Sequence, residues 1–151
     1  MDTSRNKVQN QISVLFDSQE FAVLSTAQSS QPYASLVAFA ASRDLKYFYF
    51  LTPDTTRKYE NLRSNPKVAV LVNNSRNTAE DIYNAVSVTG TGIASVVEKA
   101  HDKKALAMFL DKHPHMKDFS RAPTTALICI TMNRYFMVNR FQNVIEYRVN
   151  L

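Results

Sequence analysis

Glycine is almost missing: Gly90 and Gly92 are the only two in 151 residues. A dinucleotide fingerprint GxGxxG, a phosphate loop GxxxxGK(S/T) and a nucleophile elbow GxSxG all need glycines at spacings that this chain cannot supply. Any phosphate group must therefore be held without a glycine-rich loop. Cysteine is equally scarce. Cys129 stands alone, so no internal disulfide can form, and its neighbours in ALICITM mark it as a core thiol rather than a nucleophile paired with a histidine.

Tryptophan is absent, and three histidines, His101, His113 and His115, have neither HExxH nor paired-cysteine spacing around them. No metal site is expected, and the His-Pro-His run reads as a solvated helix end. No apolar run approaches the roughly 20 residues of a membrane span, and Met1 to Asn10 carries no apolar leader core. A soluble, cytoplasmic protein with no membrane partner is expected. No basic run accompanies the net charge of +5, because Lys and Arg are scattered along the chain. That places a small anionic ligand ahead of nucleic acid, and no nucleic-acid partner is expected.

What is present is an ordinary globular composition, 45% hydrophobic and 21% charged. A chain of this length buries roughly 70% of its unfolded surface, so residues 1–151 are expected to form a single domain. Val8, Ile12, Leu15 and Phe16 recur at helical spacing, giving an amphipathic helix over roughly 5–18. FAVLSTA, YASLVAFAA and KYFYFL follow as three strands separated by the turn stretches QSSQP and SRDL. A short helix over 56–64 is stopped by SNP, and KVAVLVN returns to strand. NSRNTAED reads as a loop. AVSVTGTGIASVV is a long alternating strand, in which the two glycines suggest a bend, ahead of a bulge or a close backbone contact. A helix over 98–112 precedes TTALICITM, RYFMVNRF and VIEYRV, which make two or three more strands. The predicted class is α+β, mainly β: a small barrel of about six to seven mostly antiparallel strands with a few short helices.

The stretch LTPDTTRKYENLRSNP poses an electrostatic question. Cations in the first turn of a helix oppose its dipole unless an anion lies between them and the free N–H groups. Thr55 and Thr56 add hydroxyls, Arg57 offers a fork and Lys58 a point charge, a set suited to a phosphate monoester. The alternative is that Arg57 and Lys58 reach into water and pair with Asp54 or Glu60. The residues alone leave both readings standing.

QPYASLVAFAA, YFYFLTPDTTRKYENLRSNPKVAVLV and AVSVTGTG resemble, in order and spacing, the pyridoxamine 5′-phosphate oxidase-like FMN-binding split-barrel superfamily. The resemblance runs over roughly 21–97, and the C-terminal strand stretches are similar to the closing strands of small members. It implies a split barrel that forms a homodimer and binds FMN between subunits. It assigns Thr56, Arg57 and Lys58 to the phosphate. It places Ser35, Leu36, Val37 and Ala38 beside the isoalloxazine ring, with Leu51 and Thr52 close by. Asn84 and Phe141 fall near positions that a partner chain contributes.

The departures are also informative. Oxidases of this superfamily carry an Arg where this chain has Ser35 and a Lys where it has Ala40, and their tryptophan-containing C-terminal stretch has no counterpart. Pyridoxamine phosphate oxidation is therefore not expected. The resemblance implies an FMN-dependent oxidoreductase acting on a small-molecule substrate, with NAD(P)H a candidate electron donor and no assigned catalytic residue. The alternative is a non-catalytic flavin or haem carrier. Tyr33, Tyr59 or a histidine are the candidates if a proton donor is needed.

Overall fold

The computed structural model describes residues 3–139 and 142–149. It opens with helix α1 (Thr3–Ser18), whose stripe Ile12, Leu15 and Phe16 is buried. Phe16 meets Phe39, Phe48 and Tyr135 edge-on, with centroids 5.6, 6.0 and 5.7 Å away, so one ring anchors the helix to three strands. Strands β1 (Phe21–Gln28) and β2 (Gln31–Ala41) form a hairpin. Its two turn residues, Ser29 and Ser30, both have positive φ (50° and 63°), the backbone that a twisted two-residue hairpin demands.

Next come β3 (Tyr47–Pro53), α2 (Arg57–Ser64), β4 (Lys67–Asn73), α3 (Asp81–Asn84) and β5 (Ser87–Val97). Helix α4 (Lys103–Lys112), a 3-10 turn at Pro114–Met116 and α5 (Lys117–Arg121) lead to β6 (Thr125–Asn139) and β7 (Asn143–Arg148). Two short helices, α3 and α5, add to the three expected from periodicity. TTALICITM and most of RYFMVNRF turn out to be one continuous 15-residue strand, β6.

All pairings are antiparallel, in the order β3-β2-β1-β4-β5-β6-β7, and β3 also pairs with β6. Six strands thus close a barrel and β7 extends it as a seventh, the mainly β α+β class expected. Period-two alternation divides the side chains between two cores. Phe39, Phe48, Phe50, Val70, Val88, Ile128 and Ile130 fill the barrel. Ala40, Tyr49, Leu51, Leu127 and Cys129 face outward and are covered by Ala105 and Phe109 of α4. Cys129 is buried there, and burial raises its thiol pKa, as a core cysteine requires.

Two expectations need correction. The glycines mark close contact as well as irregularity: the β5–β6 register shifts between Thr91 and Gly92, and a Cβ on Gly92 would stand 2.5 Å from the Thr131 carbonyl oxygen. One on Gly90 would run into Met132 and the Tyr135 ring. Strand β6 therefore crowds both positions, through its backbone at Gly92 and through the Met132 and Tyr135 side chains at Gly90. The second correction concerns His113, which is only 1% exposed rather than solvated. Its Nε2 lies 2.8 Å from the Phe39 carbonyl oxygen, and its ring packs on Phe109. Beside it, Lys112 Nζ donates to the Phe16 carbonyl at 2.9 Å and sits 3.8 Å from the Phe39 ring centroid. The end of α4 is thus fastened through two backbone carbonyls, one on β2 and one on α1.

Candidate functional site: the opening between β2 and β3

Strands β2 and β3 pair only over Phe39–Ala41 and Phe48–Phe50. Beyond that, β2 stays with β1 as far as Gln31, whereas β3 stays with β6 as far as Pro53. The barrel wall splits between them. Phe39 N–H donates toward β1, to the Glu20 carbonyl, which fixes the phase of the ladder. Backbone groups of Leu36 and Ala34 consequently point to the other edge, where β3 has already diverged. These groups are free to read a polar, planar ligand edge.

Helix α2 stands at the wide end of the split, and its sequence explains how it starts there. Thr56 is the N-cap, its Oγ1 accepting from Tyr59 N–H at 3.3 Å. The same hydroxyl lies 3.0 Å from the Pro53 carbonyl oxygen and 2.8 Å from Thr52 Oγ1. Thr56 is thus committed to capping. Asn61 Nδ2 donates to Thr26 Oγ1 at 3.0 Å, a buried bond that ties the middle of the helix to β1. Asn65 and Pro66 end it, with Asn65 N–H on the Asn61 carbonyl.

This leaves Arg57 and Lys58 in the first turn, Arg57 exposed and Lys58 half-buried. Among the described residues their backbone N–H groups find no acceptor and no carboxylate lies within ion-pair distance of either side chain. The cations, the free N–H groups and the helix dipole reinforce one another as an anion site. The Arg57 guanidinium turns back over the Tyr33 ring of β2, 5.9 Å from its centroid.

Ser35 supplies a second, independent sign of a ligand. It shares the inward face of β2 with Tyr33 and Val37, and its Oγ is the one buried side-chain polar atom without a hydrogen-bond partner among the described residues. The Ser35 hydroxyl is thus buried without a partner, and the first turn of α2 carries two cations with no carboxylate partner among the described residues.

Ser35, Leu36, Val37, Ala38, Leu51, Thr52, Thr56, Arg57 and Lys58 all lie on β2, on β3 or at the start of α2, the elements that border the opening, but their side chains differ in access. Leu36 is 65% exposed, Val37 is inside the barrel, and Ala38 and Leu51 lie under α4. Asn84 stands elsewhere. It ends α3, which follows β4, whereas α2 precedes β4, so the two are separated by the length of that strand, roughly 20 Å. There it lines an open groove of about 760 Å³ with Gln19, Asn74, Arg76 and Asp81. Phe141 falls outside the described residues. The sequence reading missed the hydroxyl of Ser35 and the contact of Tyr33 with Arg57; strand alternation, which puts positions 33, 35 and 37 on one face, was the available signal.

Other chemistry has less to stand on. Among the described residues no cluster of His, Cys, Asp or Glu is arranged to hold a metal ion, and no helix is long and apolar enough to cross a membrane. Burial holds the Tyr49 phenol far above its ordinary range, which fits a packing role. Tyr59 Oη accepts from Arg63 at 3.0 Å.

A family model described as pyridoxamine 5′-phosphate oxidase matches residues 8–139. The chain belongs to that family. Comparison with curated protein sequences finds no match. Solved structures share the fold at low identity. A haem binding protein from Mycobacterium smegmatis superposes with a TM-score of 0.82 at 16% identity, covering 93% of this chain and 57% of that one. This chain thus spans little more than half of that protein. The haem storage protein HutZ from Vibrio cholerae gives 0.71 at 18% identity, over 82% and 89% of the two chains. An FAD-binding protein from Mesorhizobium loti gives 0.67 at 17%, over 85% and 91%. The family fold is thus found in proteins described as binding haem and as binding flavin, so the ligand must be argued from this chain's own residues.

Proposed function

We propose that the chain is an FMN-binding flavoprotein, an oxidoreductase that works as a homodimer on a small-molecule substrate. The observation that carries this reading is the first turn of α2, where Arg57 and Lys58 meet free N–H groups with no carboxylate to neutralise them. In this reading they hold the FMN phosphate together with the Ser35 hydroxyl, while Thr56 and Thr52 fix the start of the helix. The open edge of β2 from Ser35 to Ala38 binds the polar rim of the ring, and Leu51 closes the side under α4. Bound FMN supplies hydride or electron transfer; the protein orients it and limits its contact with water.

Asn84 lies away from this opening in its own chain, and in this reading a second copy brings it to the ligand. The exposed apolar residues Phe21 and Leu36 of the β1–β2 hairpin support a dimer. A haem reading has less to recommend it in this chain. The ring of His113 is buried with its Nε2 on the Phe39 carbonyl, and His101 and His115 lie exposed beside α4.

The test is a titration of the purified protein with FMN, followed by flavin fluorescence, and then anaerobic addition of NADPH or NADH. Tight FMN binding with bleaching of the flavin band supports the oxidoreductase. Binding without bleaching by any donor favours a carrier, and a Soret band on addition of haem with no flavin uptake would reject the FMN assignment.

A further inference from the structure

We infer that Tyr33 is a positioning residue: it holds the Arg57 guanidinium at the mouth of the opening, ready for a phosphate, without neutralising it. The inference rests on the phosphate site proposed above and extends it to a residue outside the Thr-Thr-Arg-Lys motif. Asp54 lies three residues before Arg57 and Glu60 three after, so carboxylates are within reach in the chain. Neither forms an ion pair with it. The guanidinium instead stands 5.9 Å from the centroid of the Tyr33 ring.

The difference matters for an anion site. A carboxylate partner would cancel the charge and compete with phosphate for the same N–H groups. An aromatic face attracts the cation while leaving its charge and its in-plane donors available. It also restricts a long side chain before the ligand arrives, which lowers the ordering cost of binding. Tyr33 is itself well placed to do this. It pairs with Thr26 in the β1–β2 hairpin, and the buried Thr26–Asn61 bond links that register to α2, the helix that carries Arg57. The two partners are thus parts of one rigid frame.

The experiment compares Tyr33→Phe, Tyr33→Leu and Tyr33→Glu in the full chain, measuring affinity for FMN and for riboflavin, which lacks the phosphate. The expected order for FMN is wild type close to Tyr33→Phe, then Tyr33→Leu weaker by about two- to fivefold, then Tyr33→Glu weaker still. Riboflavin affinity should not move in the Phe and Leu variants, and Tyr33→Leu should add nothing in an Arg57→Ala background. Equal loss for FMN and riboflavin would overturn the proposal, because Tyr33 would then be touching the ring; so would an unchanged Tyr33→Leu.

A second measurement keeps the proposal separate from the flavin reading. In the ligand-free protein the Arg57 side-chain Nε–H resonance should carry a ring-current shift that Tyr33→Leu abolishes; absence of that shift overturns the contact. If the wild type binds no FMN, the flavin reading fails. Inorganic phosphate then decides the role of Tyr33: the same order of affinities supports it, and equal affinities reject it.

Discussion

Tyr135 Oη donates to the carbonyl of Leu45 at 2.7 Å, joining two residues 90 positions apart. Leu45 closes the β2–β3 turn in a left-handed conformation, φ 64°, that a leucine adopts only when its surroundings hold it there. Both residues are fully buried. Tyr135→Phe should therefore leave a buried carbonyl unpaired and cost about 1–3 kcal/mol in denaturant unfolding. A loss below a few tenths would mean that the turn holds itself.

Ser35→Ala separates ligand binding from stability. Removing an unpaired buried hydroxyl should leave the ligand-free protein as stable as before or more stable by up to about 1 kcal/mol. FMN affinity should fall by roughly tenfold. A destabilised ligand-free variant would show that the hydroxyl already has a structural partner.

Replacing Arg57 and Lys58 together by alanine should weaken FMN binding by about 3 kcal/mol or more, two decades in Kd, because charge-assisted bonds contribute roughly 1.5–3 kcal/mol each. Unfolding midpoints without ligand should stay close to wild type, since neither side chain makes an ion pair. Unchanged FMN affinity in a folded double variant would falsify the phosphate site.

Acid should loosen the clasp at the end of α4. Burial pulls the His113 pKa below its ordinary value, helped by Lys112 and His115 and opposed by the Phe39 carbonyl and Glu20. The unfolded chain therefore takes up this proton first, at a pH of about 6.5. The contribution of a neutral His113 is complete above that pH and is lost as pH falls through the lower folded value. His113→Gln, which keeps an N–H for the Phe39 carbonyl, should flatten this part of the stability profile. An unaltered acid limb would exclude His113 as its source.

Gly92→Ala and Gly90→Ala should differ in a defined direction. The Gly92 Cβ would meet a backbone oxygen, whereas the first contact at Gly90 is the flexible end of Met132. Gly92→Ala should cost about 1–3 kcal/mol and Gly90→Ala less. The reverse order in chemical denaturation would show that the Tyr135 ring, not the β6 backbone, sets the limit.

The strands were legible because one or both faces are apolar and alternation is a strong signal. The split between β2 and β3 was not, because divergence of two strands leaves no local trace; only the resemblance pointed to it. β6 looked interrupted because Asn133 and Arg134 are polar. They face outward, Asn133 accepting from Thr91 at 2.6 Å and Arg134 pairing with Glu146 at 3.4 Å, so the strand continues beneath them. α3 and α5, at 4 and 5 residues, are too short for helical periodicity to register. His113 misled because a histidine beside a proline looks wet; its partner is a carbonyl 74 positions away. The motif Thr-Thr-Arg-Lys did locate the turn that caps α2, but that Thr56 caps while Arg57 and Lys58 stay unpaired among the described residues depends on how β3 delivers the chain to the helix.

The length of β6 bears on how the chain is made. It pairs with β3, β5 and β7, and its contacts with β3 join Tyr47 to Thr131 and Pro53 to Thr125. A nascent chain that ends before Thr125 has β1 to β5 in hand but no strand to seal either side, leaving the aromatic edge of β3 unpaired. Sealing requires a contact across more than half the polypeptide, the kind of pairing that slows folding. Closure of the barrel is thus timed by the emergence of one late strand, and until then the open wall is exposed to pairing with other chains.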